Sequence, residues 1–401
     1  MKSKPILLTV PAYLADFRCP GADCEDHCCY GWEIEVDRAT YRRYRQMKDT
    51  PLAALLARSV QRNRRDPFDA RYAVIRREGD DCPFLTRGRL CRIHAELGEA
   101  FLPDVCAVFP RRWRARKNGI EGSASLACPE IARLALEHPD SLRPVRTRLT
   151  GPMPRAVAPP LPSQAEAAGM KLRELALALI GNRRYPVWER LLRFGMACEA
   201  AGRKPPAGIP ALLESFGRQL DDPALDRILA DTPVLTGLQL QIVRRLHDEK
   251  LPSVRVRTFQ ECTAAAFAGL DWPAGRPFDA AVNRRYDRAY EQFYQPFFER
   301  HGHLLENTLA NYILHYDPGF QPGRIYEDYL GLVLHFAMLK TYLIGMAASE
   351  GADFSPARVV RLVCAFTKVM EPDAAFRRFA LDLLAQSGCT DLLRVAVLLR
   401  N

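Results

Sequence analysis

Residues 19–32 read CPGADCEDHCCYGW, which sets Cys19, Cys24, Cys28 and Cys29 within eleven positions, with His27 and acidic side chains between them. Cys82, Cys91, Cys106 and Cys128 follow, so eight of the twelve cysteines fall in the first third of the chain. The other four, Cys198, Cys262, Cys364 and Cys389, stand singly among apolar residues, where a free thiol behaves as a small hydrophobe. Thiols gathered early and apolar helical stripes later predict a mainly α protein. A loop-rich cysteine-cluster domain with a few short strands comes first, and an all-helical domain follows.

At 401 residues the chain exceeds the size at which a single core keeps growing, so two domains are expected. Its 48% hydrophobic and 26% charged residues are those of an ordinary globular protein. The net charge of +10 admits an acidic or polyanionic partner and says nothing about fold. The start, MKSKPILLTV, is basic, but its apolar run is too short for a signal peptide and no small-residue cleavage site follows. The expected location is therefore the cytoplasm, where clustered cysteines read as metal ligands or catalysts before disulfides. Tyr329–Ala347 is nearly long enough to span a bilayer, yet His335 and Lys340 would be costly there. A buried core helix is expected, and no membrane.

Glu33–Val36 alternates like a short strand, and Asp37 is placed to cap a helix running to Met47, with Pro51 marking its end or the next start. Residues 61–69 read as basic and turn-like, Tyr72–Arg76 as extended, and Gly119–Ala127 as β-compatible. Residues 139–166 contain seven prolines and read as a linker, which divides the chain into 1–138, 139–166 and 167–401. Beyond 168 the apolar spacing is helical, including predicted helices at 324–348, 355–370, 373–386 and 390–399. Tyr286, Tyr290, Phe293 and Phe297 recur on one helical face, which reads as core packing.

A structural zinc site usually shows two CxxC pairs, and this chain has none. The spacing is instead Cys19-x4-Cys24-x3-Cys28-Cys29, and adjacent cysteines do not easily bind one zinc ion together. They suit a polynuclear centre, or one ligand beside a packed neighbour. Four thiolates are the usual hold on an iron–sulfur cluster, with zinc and simple packing as the alternatives. The Cys-x3-Cys-x2-Cys pattern of radical enzymes that cleave S-adenosylmethionine fails, because position 31 is Gly31. His27 and His94 adjoin the cysteines and read as ligands or as ordinary hydrogen-bonded histidines. His301, His303, Glu306 and His315 resemble a metal or acid–base constellation but match no zinc motif, and the commoner reading is a helix-entry segment with solvated histidines. No GxGxxG, GxxxxGK[ST] or GxSxG occurs. The run Arg111–Lys117 fits a nucleic-acid backbone, although a solvated basic face is the commoner meaning.

Three blocks together resemble the bacterial flagellin lysine-N-methylases. The first is Cys19-x4-Cys24-Glu25-Asp26-x-Cys28-Cys29-x-Gly31-Trp32, with Val36-Asp37 and Thr40-Tyr41-x-x-Tyr44. The second joins Cys82-Pro83-Phe84-Leu85, Leu90-Cys91-x-Ile93-His94-x-x-Leu97-Gly98-Glu99, Cys106, Phe109-Pro110-Arg111 and Cys128-Pro129-Glu130. The third joins Leu305-Glu306-Asn307-x-x-x-Asn311-Tyr312, Tyr326-x-Asp328-Tyr329, Leu343-Ile344-Gly345-Met346 and Phe366-x-Lys368. The first block is shared with small zinc- or iron-chelating cysteine-cluster proteins, and residues 140–280 contribute nothing to the likeness.

The resemblance implies methyl transfer from S-adenosylmethionine to surface lysines of flagellin, by an enzyme holding a four-iron four-sulfur cluster. Such chemistry needs a neutral amine, whereas free lysine has a pKa of about 10.4, and it needs donor and acceptor in line. Glu306, Asn307 and Tyr312 lie where the likeness is densest outside the cysteines. They are the candidate substrate or cofactor contacts, with capping and packing as the alternative roles. Eight thiols are candidates for four ligand positions, with Cys19, Cys24, Cys28 and Cys29 the first set to test. Whether the cluster braces the fold or binds the donor stays open. The rival functions are a metal-chelating or metal-delivery protein and a basic nucleic-acid-binding protein using Arg111–Lys117.

Overall fold

The computed structural model describes residues 6–30, 32–64, 68–77, 79, 81–117, 119–149, 153–219, 222–316, 323–370 and 373–401. The first five residues, Gly31, residues 65–67 of the basic turn and residues 150–152 of the proline-rich stretch lie outside them. The chain forms two compact units, one of residues 1–134 and 143–159, the other of 135–142 and 160–401.

The first unit carries the strands β1 (Leu7–Pro11), β2 (Ile34–Val36), β3 (Val60–Arg62), β4 (Ala73–Ile75), β5 (Arg111–Arg116), β6 (Gly119–Ala124) and β7 (Pro144–Arg148). They make two small sheets, ordered β2-β4-β3 and β5-β6-β1-β7. In the smaller sheet Ile34 pairs with Ile75 and Val36 with Ala73, so the alternating residues of β2 turn one face inward. Two capped helices cover that face. Asp37 Oδ1 accepts the Thr40 N–H at 2.8 Å to start Arg38–Gln46, and Thr50 Oγ1 accepts the Ala53 N–H at 3.0 Å to start Pro51–Ser59. Each such cap contributes about 1 kcal/mol. Val36, Leu52, Leu56, Val60, Phe84 and Ile93 close the core.

The larger sheet departs from the sequence reading twice. Arg111–Arg116, read as a basic face, is the edge strand β5, antiparallel to β6, and Arg116 Nε donates to Glu121 Oε2 at 2.7 Å. Residues 144–148, inside the stretch read as a linker, form β7, paired antiparallel with β1 from Leu7↔Arg148 to Pro11↔Pro144. A proline at a strand's first position removes no needed ladder donor, so the composition did not forbid pairing.

Beyond residue 160, all regular structure among the described residues is helical. At the centre runs Ile325–Glu350, buried almost without interruption from Tyr329 to Ala347. A helix apolar all round must be enclosed by others. The helices Val187–Gly202, Arg257–Gly269, Thr236–Lys250 and Leu392–Leu399 do this. Ile325–Asp353 is long and apolar enough to cross a membrane by length and composition, and 94% of its most apolar window is buried. Both polar residues that argued against a membrane are accommodated. The His335 ring lies 4.7 Å from that of Tyr312 and 4.8 Å from that of Phe366, and burial pushes its pKa down to about 3. Lys340 Nζ donates to the Leu399 carbonyl at 2.8 Å and to the Asn401 side chain.

The Arg257–Gly269 helix crosses the central one with backbones in contact. A Cβ on Gly345 would run into the Ala266 carbonyl, and one on Gly269 into the Gly345 carbonyl. Elsewhere the aromatic stripe is core at Tyr286 and Phe297, as expected, and is corrected at Phe293. Ala280–Ala289 and Gln295–His301 are α-helical, but Tyr290–Tyr294 is a π-turn. Pro296 has no N–H to return to the preceding turn, and the wider turn accommodates that loss. The extra residue shifts the register, so Tyr294 and Phe298 face inward while Phe293 is 37% exposed.

Replacing Gly345→Ala is expected to lower unfolding free energy by about 3 kcal/mol, because backbone rather than a flexible side chain must give. An unchanged urea midpoint would contradict that packing. A second expectation concerns pH. His247 is pushed down by burial to about 4 and His335 to about 3, so the folded chain keeps both neutral. Unfolded histidine takes its proton near pH 6.5, so their stabilisation is complete above that value and is lost as pH falls towards 4. His335→Phe should flatten the decline in urea midpoint between pH 6.5 and 4.

Candidate functional site

The early cysteines are held by the loops and short elements of the first unit. The Cys82 N–H donates to the Cys29 carbonyl at 2.8 Å, and Leu85 bridges Cys91. Cys82 is buried in the core, with Cys29, Cys91 and Cys106 packed against it. A hydrogen bond with Cys28, reinforced by burial, holds the Cys29 thiol far above its usual range. Burial pushes Cys82 up to about 11 and Cys106 well above normal, with neighbouring thiols adding to both. Cys28, Cys29, Cys82, Cys91 and Cys106 therefore act on one another. Cys19, Cys24 and Cys128 form a second neighbourhood, in which burial pushes Cys128 up to about 12. The two meet at Cys28, so the set first chosen from sequence is divided between them.

Among the described residues, no three His, Cys, Asp or Glu side chains are gathered closely enough to hold a metal ion. His94 is exposed, and the His27 ring stands 5.2 Å from that of Tyr30. The His301 ring lies tilted against Phe297 at 4.7 Å, and His315, expected to be solvated, is buried edge-on to Tyr316 at 4.8 Å. His303, by contrast, shares a cavity with Glu306, and burial, helped by His301 and Arg183, pushes its pKa down. The donor chemistry of the first neighbourhood is sulfur throughout, which is the chemistry iron–sulfur clusters take.

The second unit contains the candidate cavity, about 580 Å³. Its key side chain is Glu306, on the helix His303–Tyr316. Arg183 grips that carboxylate with Nε at 3.1 and 3.0 Å from its two oxygens and Nη2 at 2.8 Å. Arg190 Nη1 donates to Oε1 at 2.8 Å, while the same guanidinium bonds the carbonyls of Tyr185 and Ile180, each at 2.6 Å. Burial alone would raise the Glu306 pKa, but the hydrogen bonds from both arginines outweigh it and hold the carboxyl below its usual range. Glu306 thus stays an anion that sets two guanidiniums in place.

The other two candidates lie away from the lining. Asn307 Nδ2 donates to the carbonyls of Ala135 and His138, each at 2.9 Å, and to Ser141 Oγ at 3.2 Å, tying down residues 135–142. Tyr312 packs between Tyr316 and His335.

The cavity's remaining walls were not singled out from sequence as site residues. Trp188, Tyr290, Tyr294, Phe298 and Phe336 supply rings, and Arg183, Arg184, Arg190 and Arg300 supply cations. The π-turn brings Tyr290 and Tyr294 into stacking at 5.5 Å, with Phe298 4.5 Å beyond Tyr294. Cavities of this size hold small-molecule cofactors. Guanidinium donors suit an anionic group, and ring faces suit a flat heterocycle or a cation. A second cavity, about 610 Å³, is lined by Thr236, Asn283, Asp287 and Glu291, among others. Tyr290, Gln295 and Asn401 line both.

The family profile described as the FliB lysine N-methylase C-terminal domain matches residues 173–398. The chain is 34% identical over 139 residues to a lysine-N-methylase of Salmonella choleraesuis and to one of Salmonella typhimurium. That stretch is 35% of this chain and 35% of each of those proteins, so the match spans about a third of the curated methylases. It is also 34% identical over 139 residues to the flagellar biosynthetic protein FliU of Salmonella muenchen, 82% of whose length is covered. No solved structure matches the chain.

Replacing Glu306→Gln leaves Arg190 buried without its counter-charge and should lower unfolding free energy by about 3 kcal/mol. Urea denaturation monitored by circular dichroism measures it. A loss no larger than that of an exposed ion pair would mean the clamp does not organise the cavity.

Proposed function

The chain belongs to the family of the FliB lysine N-methylase C-terminal domain, and from that premise we propose that it is a protein-lysine N-methyltransferase, using S-adenosylmethionine as donor and flagellin as acceptor. The observation that carries this reading is the 580 Å³ cavity, whose walls lie mostly within the residues that match the family. A donor with a carboxylate, a sulfonium and an adenine finds a complementary group for each. Arg183 and Arg184, which line the cavity, would take the carboxylate. The faces of Tyr290, Tyr294 and Phe298 suit the adenine and the cationic sulfur. Glu306 keeps the arginines aimed without competing for the proton.

In the reaction, the lone pair of a neutral lysine amine attacks the sulfonium methyl. A C–N bond forms, the S–C bond breaks, and its electron pair stays on sulfur as the thioether leaves. The enzyme's part is to strip the amine of water and hold it in line with the departing sulfur. The flagellar acceptor is proposed from the name of the FliU relative, and the reaction is placed in the cytoplasm.

Cys28, Cys29, Cys82, Cys91 and Cys106, with Cys19, Cys24 and Cys128 beside them, are proposed as the pool from which four thiolates would be drawn together by an iron–sulfur cluster, since among the described residues no three are gathered on one metal ion. Its binding energy would brace a unit built from short strands and loops, as structural metals do.

Incubating the chain with flagellin and methyl-labelled S-adenosylmethionine should place label on lysine side chains. No label on the acceptor would favour a metal-chelating protein. Arg183→Ala should raise the KM for the donor about 10- to 100-fold, the loss of a charge-assisted contact, with little effect on folding because this side chain is 64% exposed. Iron and sulfide analysis of anaerobically prepared protein tests the cluster, and a colourless, zinc-rich preparation would overturn it.

A further inference from the structure

We propose that the second cavity is the acceptor subsite: it takes the side chain of a lysine on an extended polypeptide segment and presents the amine to the first cavity across the wall they share. The inference rests on the methyl-transfer reading and adds where the substrate enters. Tyr290, Gln295 and Asn401 line both spaces, so the two adjoin at these side chains. Methyl transfer from a diffusible donor to a residue on a protein requires such adjoining rooms.

The chemistry of the two linings is opposite. The first is rich in arginine, while the second contains the carboxylates of Asp287 and Glu291 and, among the described residues, no lysine or arginine. In a chain of net charge +10 that recess suits an ammonium group and not an anion. Asp287 is held in position: Asn283 Nδ2 donates to its Oδ2 at 2.7 Å, and Thr236 hydrogen-bonds it as well. Burial raises its carboxyl above the usual range, which favours it as the first stop for the proton the ammonium must lose. At the mouth, Val234 and Leu235 are each 46% exposed. Apolar side chains beside two carboxylates match a lysine, whose four methylenes end in a cation.

Equilibrium binding of a short peptide with a single lysine, compared with the same peptide carrying norleucine there, reads this subsite without catalysis. The wild-type chain should prefer the lysine peptide at least 10-fold. Asp287→Asn and Glu291→Gln together should abolish that preference while S-adenosylmethionine binding stays unchanged, which shows the fold intact. In turnover, the same variants should raise the KM for the acceptor and leave that for the donor. No preference in the wild-type chain, or one that survives both substitutions, overturns the proposal. A lysine preference removed by the substitutions in a chain that transfers no methyl group would leave this subsite standing and overturn the methyltransferase reading instead.

Discussion

A helix with no polar face cannot rest against water on any side, and the second unit is built to satisfy that demand. Ile325–Glu350 is enclosed by its neighbours, and at Gly345 and Gly269 the enclosure is so close that only a missing Cβ allows two backbones to pass. Dense packing of this kind leaves little empty space. Voids that remain against it are therefore informative, and one of them is bordered by Phe336 and Lys340 of this same helix.

The charge arrangement follows the same economy. Two guanidiniums near a cavity repel each other unless something holds them, and Glu306 does so from the opposite wall through contacts spanning 123 and 116 residues of sequence. The adjoining cavity carries the opposite sign. Small cationic and anionic ends of different molecules could thus be sorted by charge before any specific contact forms.

Local signals were legible where the chemistry is local. The Asp37 cap, the strand Ile34–Val36, the burial of Tyr329–Ala347 and the later helices follow from spacing and capping within one or two turns. What sequence could not expose depends on partners far along the chain. Glu306 was visible as a candidate, but Arg183 and Arg190, which decide its ionisation, lie where the sequence shows only helical spacing, with nothing that pairs them to a residue more than a hundred positions on. β7 was hidden because its pairing is made by backbone, and a proline-rich composition does not reveal an available ladder. The cysteines were visible as a group, whereas their division into two neighbourhoods meeting at Cys28 depends on tertiary packing, which sets Cys29, Cys82, Cys91 and Cys106 together at the core.

The π-turn at Tyr290–Tyr294 makes chain length itself part of the design. One residue occupies about 100° of an α-helix, so a variant lacking a single position in this stretch would have every composition it needs and still point its rings elsewhere. Tyr290 would no longer front two chambers at once, and the partition between them would be dismantled without the loss of any one chemical group. Homologous chains that keep both chambers should therefore tolerate exchange of side chains here more readily than a change in their number.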